Sequence, residues 1–201
     1  MAKIKHTKNE LKAQRDALKR YQRYLPTLLL KKQQLQIEVR QLEARVEAKR
    51  AEEESARKDL GAWVRLFAEP VDLAAWLRVK GVRETRGNIA GVSIPVFEAI
   101  EFERTAPDLF ATPAWVDDGL RMMEQLIRLH AERRILEAQL ALLREELRTT
   151  AQRVNLFEKV KIPEARENIR VIRIFLGDQM TAGIARAKIA KGKSVEKGRA
   201  A

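Results

Sequence analysis

The chain has 201 residues, 34% of them charged and only 5% aromatic, with 40 Lys and Arg against 28 Asp and Glu for a net charge of +12. Ala, Leu, Glu, Lys, Arg and Gln dominate both ends, the profile of long helices rather than of a compact globular domain. No run of about eighteen apolar residues occurs, the opening MAKIKHTKNE lacks an apolar signal core, and there is no cysteine. A membrane span, a secretory leader, disulfides and thiolate metal sites are therefore not expected, and a cytosolic placement is.

From the N-terminus, a heptad grid with Leu11 at position a catches Leu18, Leu25, Val39, Val46, Leu60 and Phe67 at a, and Tyr21, Leu28, Leu35, Leu42, Ala56 and Trp63 at d. Only Lys32 and Glu53 at a, and Gln14 and Lys49 at d, break it. A sustained 3.5-residue period predicts a coiled-coil helix over residues 1–67. Pro26 interrupts it, and a kink or a restart after Tyr24 is expected there.

Residues 68–113 change character. Pro70, Gly81, Gly87, Gly91, Pro95, Pro107 and Pro113 punctuate them, and NIAGVSIPVFEAIEFE is rich in Val, Ile and Phe with partial alternation. This reads as a short β-hairpin insert, with Pro95 confined to an edge or a bulge. Trp63, Trp76 and Trp115 cluster at its borders and are expected to cap the end of the coiled coil. The stretch Ile94, Pro95, Val96 and Phe97 is either core of the hairpin or a surface offered to a partner, since so small an insert has little room to bury both faces.

Residues 114–190 return to the helical pattern, with a seam through Met122, Leu126, Leu129, Leu136, Leu140, Leu143, Leu147, Val154 and Phe157 and with Arg133, Thr150 and Lys161 as exceptions. Beyond Lys161 the apolar row returns in another phase, as Ile162, Ala165, Ile169, Ile172, Leu176 and Met180. Pro163 lies where the stripe shifts, so a bend or register change is expected at it. The expected architecture is mainly α: a long antiparallel two-helix coiled coil of the N- and C-terminal helices, with the hairpin insert between them. Residues 191–201 are set apart as a basic flexible tail.

No chemistry declares itself. GxxxxGK[ST] does not occur, GKS at Gly192 to Ser194 lacks the upstream glycine spacing, and His6 and His130 stand in no catalytic context. The acids Glu52, Glu53 and Glu54 have Lys and Arg neighbours and read as a solvated or ion-paired face. No cofactor, metal or catalytic residue is expected. Arg153, Arg166, Arg170 and Arg173 are candidate contact residues, the last three at helical spacing just past the proline; a solvated face is the plainer reading.

The runs TKNELKAQRDALKRY, NIAGVSIPVFEAIEF, TPAWVD and above all QRVNLFEKVKIPEARENIRVIRIFLGDQM resemble the D subunit of the V-type and A-type rotary ATPases in its bacterial form, over residues 4–190. The resemblance implies a non-catalytic rotor shaft that enters the hexamer of A and B subunits, binds the F subunit, and rests on the C (or d) subunit linking it to the membrane ring. Torque would pass along it during ATP synthesis or ATP-driven proton or sodium transport, with the chain cytoplasmic and peripheral to the membrane, neither inserted in it nor bound to nucleic acid. A stand-alone basic coiled coil that binds nucleic acid or ribosomes through the Lys/Arg-rich end is the rival expectation.

Overall fold

The computed structural model describes residues 4–61, 73–108 and 112–199. In chain order these form helix α1 (Lys8–Gly61), a 3-10 turn (Leu73–Ala75), strands β1 (Leu77–Ile89) and β2 (Val92–Arg104), helix α2 (Val116–Leu156), a π-helical turn (Phe157–Lys161) and helix α3 (Ile162–Arg199). The chain is mainly helical with a two-stranded antiparallel insert, as the sequence predicts. Trp63, Phe67 and Pro70, and with them the predicted end of the first helix, lie outside the described residues. α3 runs to Arg199, through the stretch set apart as a tail.

α1 starts at a capped end: Thr7 Oγ1 accepts from the Glu10 N–H at 3.2 Å, relieving one of the free donors of the first turn. Every heptad a and d position from Leu11 to Leu60 is buried or half-buried, the four polar exceptions included, while most positions between them are exposed. The expected restart after Tyr24 does not occur, because α1 continues through Pro26. Pro26 is exposed, so the carbonyl that loses its donor can turn to water. Thr27 Oγ1 meanwhile donates to the Tyr24 carbonyl at 2.8 Å.

Two compact units divide the chain, one of residues 31–149 and one of residues 1–30 with 150–201. In the first, α1 and α2 run antiparallel and the hairpin lies on both. Leu35, Val39 and Leu42 of α1, Leu140 and Leu143 of α2, and Ile94 of β2 form one core, with Ile89, Ala90, Val92 and Val96 packed against it. A second cluster joins Leu77 to Val116 and Leu120, flanked by Trp76, Trp115 and Phe102. The two tryptophans thus pack where the hairpin base meets the start of α2.

The hairpin is one long pair of 13-residue strands. Its two-residue turn puts Ala90 at φ 51° and Gly91 at φ 80°, a left-handed pair whose twist suits a hairpin and which glycine adopts without cost. Asn88 Oδ1 accepts from the Gly91 N–H at 2.9 Å and fixes the turn. Lys80 on β1 and Glu98 on β2 fall at the two register shifts, where an extra residue bends and twists the ribbon. Pro95 stands opposite Arg86, and its carbonyl accepts from Nε2 of the buried Gln139 on α2, which ties the strand to the helix.

In the second unit, α1 pairs antiparallel with the end of α2, the π turn and α3. Tyr21 meets Phe157 (ring centroids 5.2 Å), Asn168 Nδ2 donates to Gln14 Oε1 at 3.4 Å, and His6 meets Phe175 (4.8 Å). Thr150, Val154, Ile162, Ala165, Ile169 and Ile172 are its buried residues. The π turn lies at the predicted phase shift, with the Ile162 N–H donating to the Phe157 carbonyl five residues back. This wider turn contains Lys159, whose carbonyl a ring at Pro163 would crowd in a regular helix.

Candidate partner-facing surfaces

Charge in this chain is used first along the helix pair. Glu53, an exception to the apolar grid and 6% exposed, receives Arg133 Nε, itself a seam exception on α2, and lies 3.1 Å from His130 Nδ1. Burial alone would push the Glu53 carboxyl up; the hydrogen bonds and charge of Arg133 and His130 outweigh it and hold the group below its ordinary value. Lys49, another exception, bonds Glu52 at 2.8 Å and Glu132 at 3.0 Å, and these two bonds raise its pKa. Arg144 to Glu43 (2.7 Å) and Lys31 to Glu146 (2.6 Å) extend the interhelical row. Such pairs fix which residues of two helices face each other more than they add stability.

The four candidate contact arginines are all exposed. Arg153 directly precedes the buried Val154, whereas Arg166 and Arg173 directly follow the buried Ala165 and Ile172, so they flank the seam on opposite sides. Arg170 donates Nε and Nη2 to Glu167 at 2.9 and 2.6 Å. Among the described residues no acid pairs with Arg153, Arg166 or Arg173. Pro163 is exposed and faces away from the buried row.

Of the four insert residues, Ile94 is 4% exposed and packs in the core of its own unit, against α1 and α2. The partial alternation that marked it as a strand residue also dictated that one face be buried, and the helices supply the cover. Val96 and Phe97 are half-buried and, with Arg45, Glu132, Ile135 and Gln139, line an open cleft of about 400 Å³ between hairpin and helices. The lining combines an apolar floor with one acid and one base, and holds no histidine or serine that could act as a nucleophile or proton shuttle.

A long uncovered surface lies on α3. From Gly177 to Ser194 every side chain is exposed, including Met180, Ile184 and Ile189 at 66, 59 and 60%, beside Arg186, Lys188, Lys191 and Lys193. Three glycines, Gly177, Gly183 and Gly192, weaken this stretch as an isolated helix. Among the described residues there is no cluster able to hold a metal ion, and no helix is long and apolar enough to cross a membrane.

Comparison with known proteins finds relatives along nearly the whole chain. The family model that describes the ATP synthase D subunit matches residues 10–192. The V-type ATP synthase D subunit of Borreliella burgdorferi is 48% identical over 199 residues, covering 99% of this chain and 98% of its own. That of Chlamydia felis is 34% identical over 195 residues, with 96 and 94% covered, and that of Chlamydia trachomatis is 34% identical over 197 residues, with 96% of each covered. The chain belongs to the family of ATP synthase D subunits.

Proposed function

We propose that this chain is the central-stalk rotor of a V/A-type ATPase, itself non-catalytic, carrying torque between the hexamer of A and B subunits and the membrane ring. The F subunit would bind along the helix pair and the C (or d) subunit would join it to the ring, with the chain cytoplasmic and peripheral to the membrane. Residues 1–67 and 114–190 would form the shaft, 68–113 the end toward the membrane, and 191–201 a tail.

The observation that carries the reading beyond family membership is the uncovered end of α3. A helical stretch, residues 177–194, with three glycines, no helix packed along it among the described residues and three large apolar side chains in water needs a surrounding protein to hold it. Its basic flank suits acidic loops of such a collar, and polar contacts of that kind can be made and broken at each of several similar positions. Arg153, Arg166 and Arg173 offer further charge with no acid partner among the described residues, and Pro163 would mark the bend that makes the shaft asymmetric.

Co-expression with the A, B and F subunits tests this. Expected is a complex with one copy of this chain per three A and three B, and ATPase turnover coupled to it; exclusion from the hexamer, with elution on RNA until salt is raised, would leave the nucleic-acid reading instead. Within that complex, Pro163→Ala should alter coupling while assembly persists, and unchanged turnover and coupling would remove any mechanical role from the proline.

A further inference from the structure

The buried row on the C-terminal helical stretch does not continue on one heptad count. From Val154 and Phe157 the count runs on to Lys161, Glu164, Asn168, Val171 and Phe175, of which Glu164, Val171 and Phe175 are exposed and none is buried. The buried row runs instead through Ile162, Ala165, Ile169 and Ile172, with the half-buried Leu176 after them, each one place later. The displacement is one residue throughout, it begins between Phe157 and Ile162, and that interval is the π turn. A π turn absorbs one residue beyond an α turn and lets the helix resume its former phase.

We infer that Phe157–Lys161 holds a single inserted residue in the coiled-coil repeat, stored in the helix as a π turn, and that the turn, by absorbing that residue, sets which side of the seam the arginines beyond it occupy. Wound as a regular α-helix, the same residues would put Glu164 in the seam and carry Arg166 and Arg173 about 100° further round, onto the outer face. With the π turn, they border α1 on the side opposite Arg153. The inference concerns the helix pair alone and stands whether or not the rotor reading does.

Removal and addition of one residue at the same place should then have opposite outcomes. Val160 is exposed, and its deletion is made together with Pro163→Ala so that a proline in a regular turn does not obscure the result. A companion variant keeps Val160 and inserts one Ala after it, also with Pro163→Ala. The chain has no native cysteine, so two introduced pairs report on register through a short thiol crosslinker: Tyr21→Cys with Phe157→Cys before the turn, and His6→Cys with Phe175→Cys beyond it. The deletion should keep both crosslinks at parental yield and melt no lower than the Pro163→Ala parent, because it heals the repeat. The insertion should keep the first and lose most of the second. Equal loss in both variants, equal retention in both, or a deletion variant that fails to fold would each overturn the inference.

Discussion

In residues 31–149, α1 contributes three fully apolar buried residues, has a hairpin packed across it and is keyed to α2 by ion pairs. In residues 1–30 with 150–201 the same helix, on the same heptad grid, contributes none that is fully buried among the described residues; it meets its partner through the ring contact of Tyr21 with Phe157 and a row on α3, with His6, just before the helix, against Phe175. The grid has Gln14 as its one polar member in the second stretch against Lys32, Lys49 and Glu53 in the first, so the difference comes from what lies on top of it. Two helices bury one stripe each, and only a third layer closes that stripe from water.

The largest effects should therefore come from the three-layered unit. Leu143 is fully buried, and Leu143→Ala should cost about 3 kcal/mol. Leu18→Ala, at an equivalent but half-buried seam position, should cost about half as much. Urea denaturation followed by helical circular dichroism measures both, and equal costs would erase the distinction between the units.

Next is the polar key. Arg133→Met strands a Glu53 carboxylate that is 6% exposed, with His130 and Arg57 as remaining partners, and should cost about 2 kcal/mol. Pairing it with Glu53→Leu should restore most of that, since a buried ion pair and an apolar pair of similar volume come out close. Acid titration isolates the same group. Its folded pKa lies below the ordinary 4.5, so the stability it contributes is complete above that value and is lost as pH falls through the lower folded one. Glu53→Gln should flatten that part of the curve; an unchanged acid limb would assign the loss to other carboxylates.

These residues also mark how far the sequence could be read. The grid on α1 held at its polar members as well, because a position faces the partner whatever occupies it. Glu53 and Arg133 could have been matched as opposite charges in opposing seams, but only a known register says that they meet. Val116, Leu120, Met123, Ile127 and Ile135 form a second apolar row on α2 beside the first. It stands in the sequence and was missed because a coiled coil needs only one row; a second implies a third layer. The fold-back of the hairpin was not legible, since nothing local in VSIPVF names the surface that covers Ile94. The phase shift before Pro163 was legible, whereas its form, a π turn with an unbroken helix, depends on backbone bonds that the side-chain pattern does not report.

A smaller effect sharpens the role of the third layer. A Cβ at Gly87 would meet Val96 Cγ2 at 2.8 Å, and a β-branched valine has few ways to yield. Gly87→Ala should lift the hairpin tip from the helices at a cost of about 1 kcal/mol. Faster amide exchange at Ile89 and Ile94 with unchanged exchange at Leu18 would locate the change; uniform acceleration would mean that the hairpin does more than cover its own unit.

The smallest effect belongs to the other unit, and it separates charge that holds the fold from charge that is offered outward. Arg170 makes two hydrogen bonds to Glu167, yet both side chains are exposed and lie one turn apart on the same helix. Water screens such a pair and its geometry is not needed to hold α3 against α1. Arg170→Ala should leave the melting temperature where it was, and Arg166→Ala with Arg173→Ala should do the same, since neither of those arginines has an acid partner among the described residues. Under the rotor reading, the double variant should instead weaken capture by the hexamer of A and B subunits as salt rises, while Arg170→Ala alone changes it less, its charge being already half answered by Glu167. A fall in melting temperature from either change would place these arginines in the fold and leave the basic end of α3 as the collar's principal contact.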